Sequence, residues 1–292
     1  MSTLTATPPA GAPAFTPTTS AIRGSERLSF GRLVASEWIK LVSLRSTWWT
    51  LGLTVLGMVG MSFLMAISMA AFTQEIPVSD LQGLGVQVVT FGYFLGQITV
   101  AVLGALVVTG EYSTGMIRST FTAAPGRLSA LSAKAVVLSV VVFVTGIVGG
   151  LISWAVSIPI LPADTAASFS DPLAWRGLAG LGAFLVLVAL MAFAIGVIVR
   201  SSAGAIAAVL GILLMLPLAF NILVGLGQEW ASNVMTYLPS EAGARLMSVS
   251  AEVDAAMVDY TLLSWWQGGL VMLGFVAILT VIGGVLVKSR DA

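Results

Sequence analysis

The sequence predicts an all-α integral membrane protein with six transmembrane helices and cytoplasmic N- and C-termini. An N-terminal amphipathic interfacial helix precedes the spans, and a short cytoplasmic helix separates spans 2 and 3. Three observations predict this. Of 292 residues, 58% are hydrophobic and only 9% charged, against about 25% charged in a soluble domain, and the mean hydropathy is +1.01. Six long windows contain no charge at all, and the basic residues flank those windows mostly on one side. Too little charge remains to cover a water-soluble surface.

Residues 1–27 begin with twenty uncharged positions rich in Thr, Pro and Ala and contain no apolar run. They are expected to form a disordered cytoplasmic tail rather than a signal peptide or a packed element. From Leu28 to Arg45 the pattern changes. Leu33, Val34, Trp38, Leu41 and Val42 fall on one side of a helix at about 100° per residue, and Arg32, Ser36, Lys40 and Ser43 on the other. This predicts an interfacial helix. Glu37 and Arg45 lie inside its apolar sector, so part of that face is expected to meet protein. The plainer alternative is a solvated lead-in carrying a basic orientation signal.

The uncharged windows run 29 residues from Arg45 to Glu75, 30 from Asp80 to Glu111 and 29 from Lys134 to Asp164. Then come 23 from Arg176 to Arg200, 28 from Arg200 to Glu229 and 28 from Asp259 to Lys288. Each exceeds the roughly 20 apolar residues that cross a bilayer core. The expected spans are 47–72, 86–110, 133–158, 177–199, 203–226 and 265–287, within one domain covering residues 28–290. Eleven basic residues then fall on the cytoplasmic side, leaving Arg176 and Arg245 outside. Glu75, Asp80, Asp164, Asp171, Glu229, Glu241, Glu252, Asp254 and Asp259 fall outside as well.

Composition also excludes chemistry. His and Cys are absent, which removes imidazole bases, thiol nucleophiles, disulfides and thiolate or imidazole zinc sites. Lys plus Arg equals Asp plus Glu at 13 each, so no net field recruits nucleic acid. No ionisable group sits at the middle of a span, where an ion-coupled transporter would need one. Gln97, Thr99, Thr145, Ser153 and Asn221 are expected to hydrogen-bond between helices. Gly92 with Gly96 and Gly146 with Gly150 permit close helix packing, a dimer face being the weaker alternative. Pro217 is expected to kink the fifth span. Trp230, Tyr237, Tyr260, Trp265 and Trp266 suit short outer helices at the membrane interface. Glu252, Asp254 and Asp259 lack the ligand density of a calcium loop.

The connection from Glu111 to Lys134 is the most informative. A carboxylate at a helix C-terminus opposes the helix dipole, so a partner or a chain break must compensate for Glu111. If helix resumes, Glu111, Gly115 and Arg118 share one face at i, i+4 and i+7. Arg118 then lies about 10 Å along the axis, too far to pair easily, so contacts with another subunit are the expected answer. An ordinary hydrophilic connection is the alternative.

Glu111-Tyr112-Ser113-Thr114-Gly115-Met116-Ile117-Arg118 resembles the motif after the second span in ABC-2 type transporter permeases, commonly Glu-Tyr/Phe-x-x-Gly-Thr, with Met116 in place of the Thr. Ser36-Glu37-Trp38-Ile39-Lys40-Leu41, followed by Leu44-Arg45-Ser46-Thr47-Trp48-Trp49, is similar to the start of actinobacterial members. Leu238-Pro239-Ser240-Glu241-Ala242-Gly243 resembles their segment before the last span. The resemblance covers residues 30 to 290. It implies a permease subunit of an ATP-driven exporter, pairing with a second copy or a related permease and with ABC ATPase subunits. Glu111, Tyr112, Gly115 and Arg118 would then couple to the ATPase, and the interfacial helix with Glu37, Trp38, Lys40 and Arg45 would share the motion. No G-x-x-x-x-G-K-[ST] phosphate loop occurs in the chain, so no cofactor is expected here and ATP would be used by the partner. The alternatives from other classes are a non-transporting anchor or sensor partner and a membrane-embedded enzyme.

Overall fold

A computed structural model describes residues 29–72, 83–123, 126–163, 165–249 and 262–289, and among these the regular structure is entirely helical. The expected tail lies outside them, as do Glu75, Asp80, Asp164, Glu252, Asp254 and Asp259. Six helical stretches are long and apolar enough to cross a membrane: Arg45–Ala71, Leu84–Ser113, Arg127–Ser157, Pro172–Val199, Ser202–Gly225 and Trp265–Ser289. They coincide with the six uncharged windows, although the third helix begins six residues before the expected 133.

The chain enters through α1 (Phe30–Ser43), and Leu44 is extended, with φ −81° and ψ 120°. Helix α2 (Arg45–Phe72) follows at once. The indole N–H of Trp48 donates to the Val42 carbonyl at 2.8 Å across this joint. Arg45 therefore opens α2 rather than ending α1, because the extended residue at Leu44 separates the two.

The second span is broken, contrary to the single expected helix 86–110. It consists of α3 (Leu84–Thr90) and α4 (Tyr93–Ser113). At the break Gly92 lies so close to Met58 that a Cβ would strike the Met58 backbone. Ser62 answers the freed backbone groups: its hydroxyl donates to Val89 O and accepts from Gly92 N, both at 3.2 Å. A backbone break inside apolar surroundings survives only with such replacement partners.

After α4 come the short α5 (Met116–Ala123), α6 (Arg127–Ser157) and α7 (Pro172–Val199). Asp171 caps α7 by accepting from Leu173 N at 2.8 Å, with Pro172 in the first turn. Two thirds of the α7 window is buried, against about a fifth for the first, fifth and sixth spans. It is the central post of the bundle. Phe184, Leu185, Val188, Ala189 and Met191 are completely buried along it. Since lipid is as apolar as leucine, such packing is held by close van der Waals fit, and Gly104 of α4 meets the Ala189 carbonyl with no room for a side chain.

Both small-residue pairs pack within the chain: Gly96 on Met58 and Leu185, Gly146 on Gly182, and Gly150 on Leu178. The fifth span is α8 (Ser202–Leu210), a π-helical turn at Gly211–Met215 and α9 (Leu216–Gly225). The π turn stands immediately before Pro217, where the missing N–H disrupts the helical ladder. Two short helices, α10 (Glu229–Met235) and α11 (Pro239–Ala244), precede α12 (Trp265–Ser289).

Candidate functional site

At the end of the bundle where α1 lies, four charged side chains from three helices converge. Lys134 Nζ of α6 donates to Glu37 Oε2 of α1 at 2.5 Å and to Glu111 Oε1 of α4 at 2.8 Å. Lys40 Nζ lies 2.7 Å from Glu37 Oε1 and 3.5 Å from Glu111 Oε1. The side chains of Glu37, Glu111 and Lys134 are only 6–7% exposed, and that of Lys40 39%. Two carboxylates thus face two ammonium groups. Burial of any one alone would be costly, and only the mutual pairing makes it tolerable.

Local sequence explains how they meet. On α1, Glu37 and Leu41 form the buried stripe, and Leu41 packs with Val137 and Val141 of α6, with Val34 and Val107 against them. On α6, Ala130, Lys134, Val137 and Val141 recur at helical spacing along the buried side. Lys134 therefore points at α1 two turns inside its helix. Glu111 occupies the last turn of α4, and its second oxygen accepts from Thr120 Oγ1 of α5 at 3.4 Å. The cluster joins α1 and α5 to the ends of the second and third spans.

Burial works to raise the Glu37 pKa, but hydrogen bonding and charge attraction from Lys134 and then Lys40 outweigh it and hold the carboxyl below its ordinary value. For Lys40, burial works downward. Glu37 and Glu111 overcome it and raise the ammonium above its ordinary value.

The neighbouring residue faces the other way. The Tyr112 ring lies under the Arg200 guanidinium, 5.2 Å from centroid to carbon, and Ser202 Oγ donates to Thr109 Oγ1 at 2.9 Å. Arg200 sits at φ 57° between α7 and α8. The last turn of α4 is thereby clamped from both sides.

The remaining sequence-selected residues are placed differently. Gly115 takes φ +72° and turns the chain between α4 and α5. Glu111, Gly115 and Arg118 consequently share no continuous helix face, and Arg118 belongs to α5, with its side chain outside the described residues. Within the chain, the charge of Glu111 is answered by Lys134. Lys40, expected opposite the apolar sector, reaches back to Glu37 from one turn away. Trp38 is 45% exposed, and Arg45 is exposed at the start of α2.

Sequence reasoning missed Lys134, Thr120 and Arg200 as members of this site. A signal existed for the first. Once the third helix is extended back to Arg127, Lys134 becomes a charge two turns inside a span, and such a charge calls for a partner.

Both carboxylates are engaged by Lys134, so the cluster offers neither an open acidic site for a metal nor a free amine nucleophile. It can transmit displacement, because moving any one of its helices separates buried opposite charges. Compared with known proteins, the chain matches no family model and no curated protein.

Proposed function

We propose that the chain is the membrane-spanning permease subunit of an ATP-driven ABC exporter, with the charge cluster as the joint through which a separate ATPase moves the spans. The observation that carries this reading is the linkage of α1 and α5 to the second and third spans through Lys134, Glu37, Glu111, Lys40 and Thr120. A surface helix that merely rests on a membrane needs no buried ions to hold it. A helix that must pull on a span needs a stiff attachment, and buried paired charges resist separation because each would be left desolvated and alone.

The basic end of the bundle is the cytoplasmic one on this reading, by the asymmetry of Lys and Arg around the spans. Both termini then lie in the cytoplasm, and α1 and α5 face the ATPase. The resemblance of 111–118, 36–49 and 238–243 to ABC-2 type permeases supports the same assignment. The centre of the chain is packed solid around α7, so cargo passes along a face shared with a second permease copy or a related permease rather than through one subunit.

The test is co-expression of the tagged full chain with candidate ABC ATPases, purification of the complex and reconstitution into lipid nanodiscs. The expected outcome is a stable complex that hydrolyses ATP, while the chain alone neither binds nor hydrolyses it. Failure to recruit any ATPase, with normal folding, would assign the chain to the anchor class instead. Nucleotide binding by this polypeptide alone would also refute the reading.

A further inference from the structure

A groove of about 730 Å³ runs along the outside of the bundle between α6, α7 and α12, away from the charge cluster. Its floor is made by Leu190, Phe193, Ala194 and Val197 of α7, and its walls include Leu128 to Val140 of α6 and Thr280 to Lys288 of α12. The volume lies within the ~300–1,000 Å³ typical of small-molecule sites. The lining surface is mostly apolar, with Ser132, Ser139, Thr280 and Lys288 as its polar members, and no acidic side chain is among them.

Two features identify the occupant. The first is length. From Leu128 to Val140 the wall rises about 18 Å at 1.5 Å per residue, close to the ~15 Å of a single leaflet's hydrocarbon. The second is charge. Lys288 lines the mouth from the last turn of α12. Arg127, at the start of α6, donates from Nη1 to the Val287 carbonyl at 3.0 Å and stands at the same rim. An apolar slot one leaflet deep, opening beneath basic side chains, is complementary to an anionic amphiphile.

We propose that this groove binds an anionic phospholipid, one acyl chain lying along α7 and the phosphate facing Lys288. The lipid would wedge α12 against α6 and α7. Its leaflet is the one at the basic end, which the orientation proposed above makes cytoplasmic. Binding itself does not depend on that orientation or on an ATPase. Gly284 controls the width of the slot. A Cβ there would meet only Leu128 Cδ2, at 3.5 Å, so a larger side chain would project into the cavity.

The test uses the full chain in nanodiscs of equimolar palmitoyl-oleoyl phosphatidylglycerol and phosphatidylcholine, released into the gas phase for native mass spectrometry. The expected result is one phosphatidylglycerol retained per chain, preferred about tenfold over phosphatidylcholine. Lys288→Gln, at an exposed position, should lower that preference about fivefold, the effect of one basic residue at a lipid surface. Gly284→Phe should abolish retention of both lipids. Equal retention of the two lipids by the parent, or an unchanged preference in Lys288→Gln, would overturn the proposal. So would lipid-free dimers that Gly284→Phe dissociates, which would give the groove to a second copy. An ATPase-binding chain that shows no such preference would retain its proposed function and lose this site. Retained lipid on a chain that recruits no ATPase would do the reverse.

Discussion

Lys134 holds the candidate site together because it is buried and donates to both carboxylates at short distance. Removing one member of a buried pair costs about 3–5 kcal/mol, and for a chain of this size that lowers Tm by on the order of 10 °C. Lys134→Met is expected to show that loss in detergent. Lys134→Met with Glu111→Leu should be less destabilised than Lys134→Met alone, since Glu37 and Lys40 remain as a pair. Simple addition of the two single effects in a double-mutant cycle would show the residues to be uncoupled.

The titrating groups give a second prediction at this scale. Because the Glu37 pKa is lowered on folding, its contribution is present above its ordinary value of 4.5 and is lost as pH falls through the lower folded value. Because the Lys40 pKa is raised, its contribution is present below 10.5 and is lost as pH rises through the higher folded value. Docking of α1 should therefore be flat from about pH 5 to 10, which hydrogen exchange of residues 30–43 measures. Glu241 behaves oppositely. Burial raises its pKa, with Arg245 opposing only partly, so protonation favours the folded state and acidification towards 4.5 adds stability. Tm should rise as the pH is lowered towards 4.5 in the parent, and that slope should be lost in Glu241→Gln.

Among the elements, α1 is attached by one stripe and α5 by a turn. Leu41 is the apolar centre of the stripe, and Leu41→Asp places a charge against Val137 and Val141. The expected result is loss of exchange protection across 30–43 while the spans stay protected. If the spans lose protection equally, α1 is part of the core and not a docked lever. At Gly115 a Cβ would meet nothing within 4 Å, so the cost of Gly115→Ala comes only from the left-handed backbone, about 1–2 kcal/mol. That variant should fold, with a slightly lower Tm, and on the proposed reading should weaken coupling between ATPase and spans. Gly92→Ala should fare worse, since the added atom strikes Met58 backbone that cannot swing aside.

For the molecule as a whole, the absence of Cys makes single-cysteine labelling a clean probe of orientation. Ser168→Cys lies at the end of the bundle opposite the charge cluster and should react with an impermeant thiol reagent from outside. Ser25→Cys and Ser289→Cys should react only after permeabilisation. External labelling at Ser289 would overturn the proposed orientation and, with it, the proposed cytoplasmic role of α1 and α5. The first, fifth and sixth of the long apolar helical stretches are the least buried, while α7 holds the centre.

The sequence by itself determined the six helices long and apolar enough to cross a membrane, because the penalty for inserting a charge acts locally on each window and the windows report it independently of how they pack. It also determined that Glu111 needed an answer and that Glu37 was misplaced for a lipid-facing helix. What answered them lay beyond its reach. Glu37 and Lys134 are 97 positions apart, and which of several charges meet at one end depends on how helices are arranged around α7. The break at Phe91–Gly92 likewise exists because Met58 of another span lies against it. The inward turn of Lys40 follows from two carboxylates gathered on neighbouring helices. Tertiary structure alone decided these features, because the energy of a buried charge or a broken helix depends on the atoms that surround it in space.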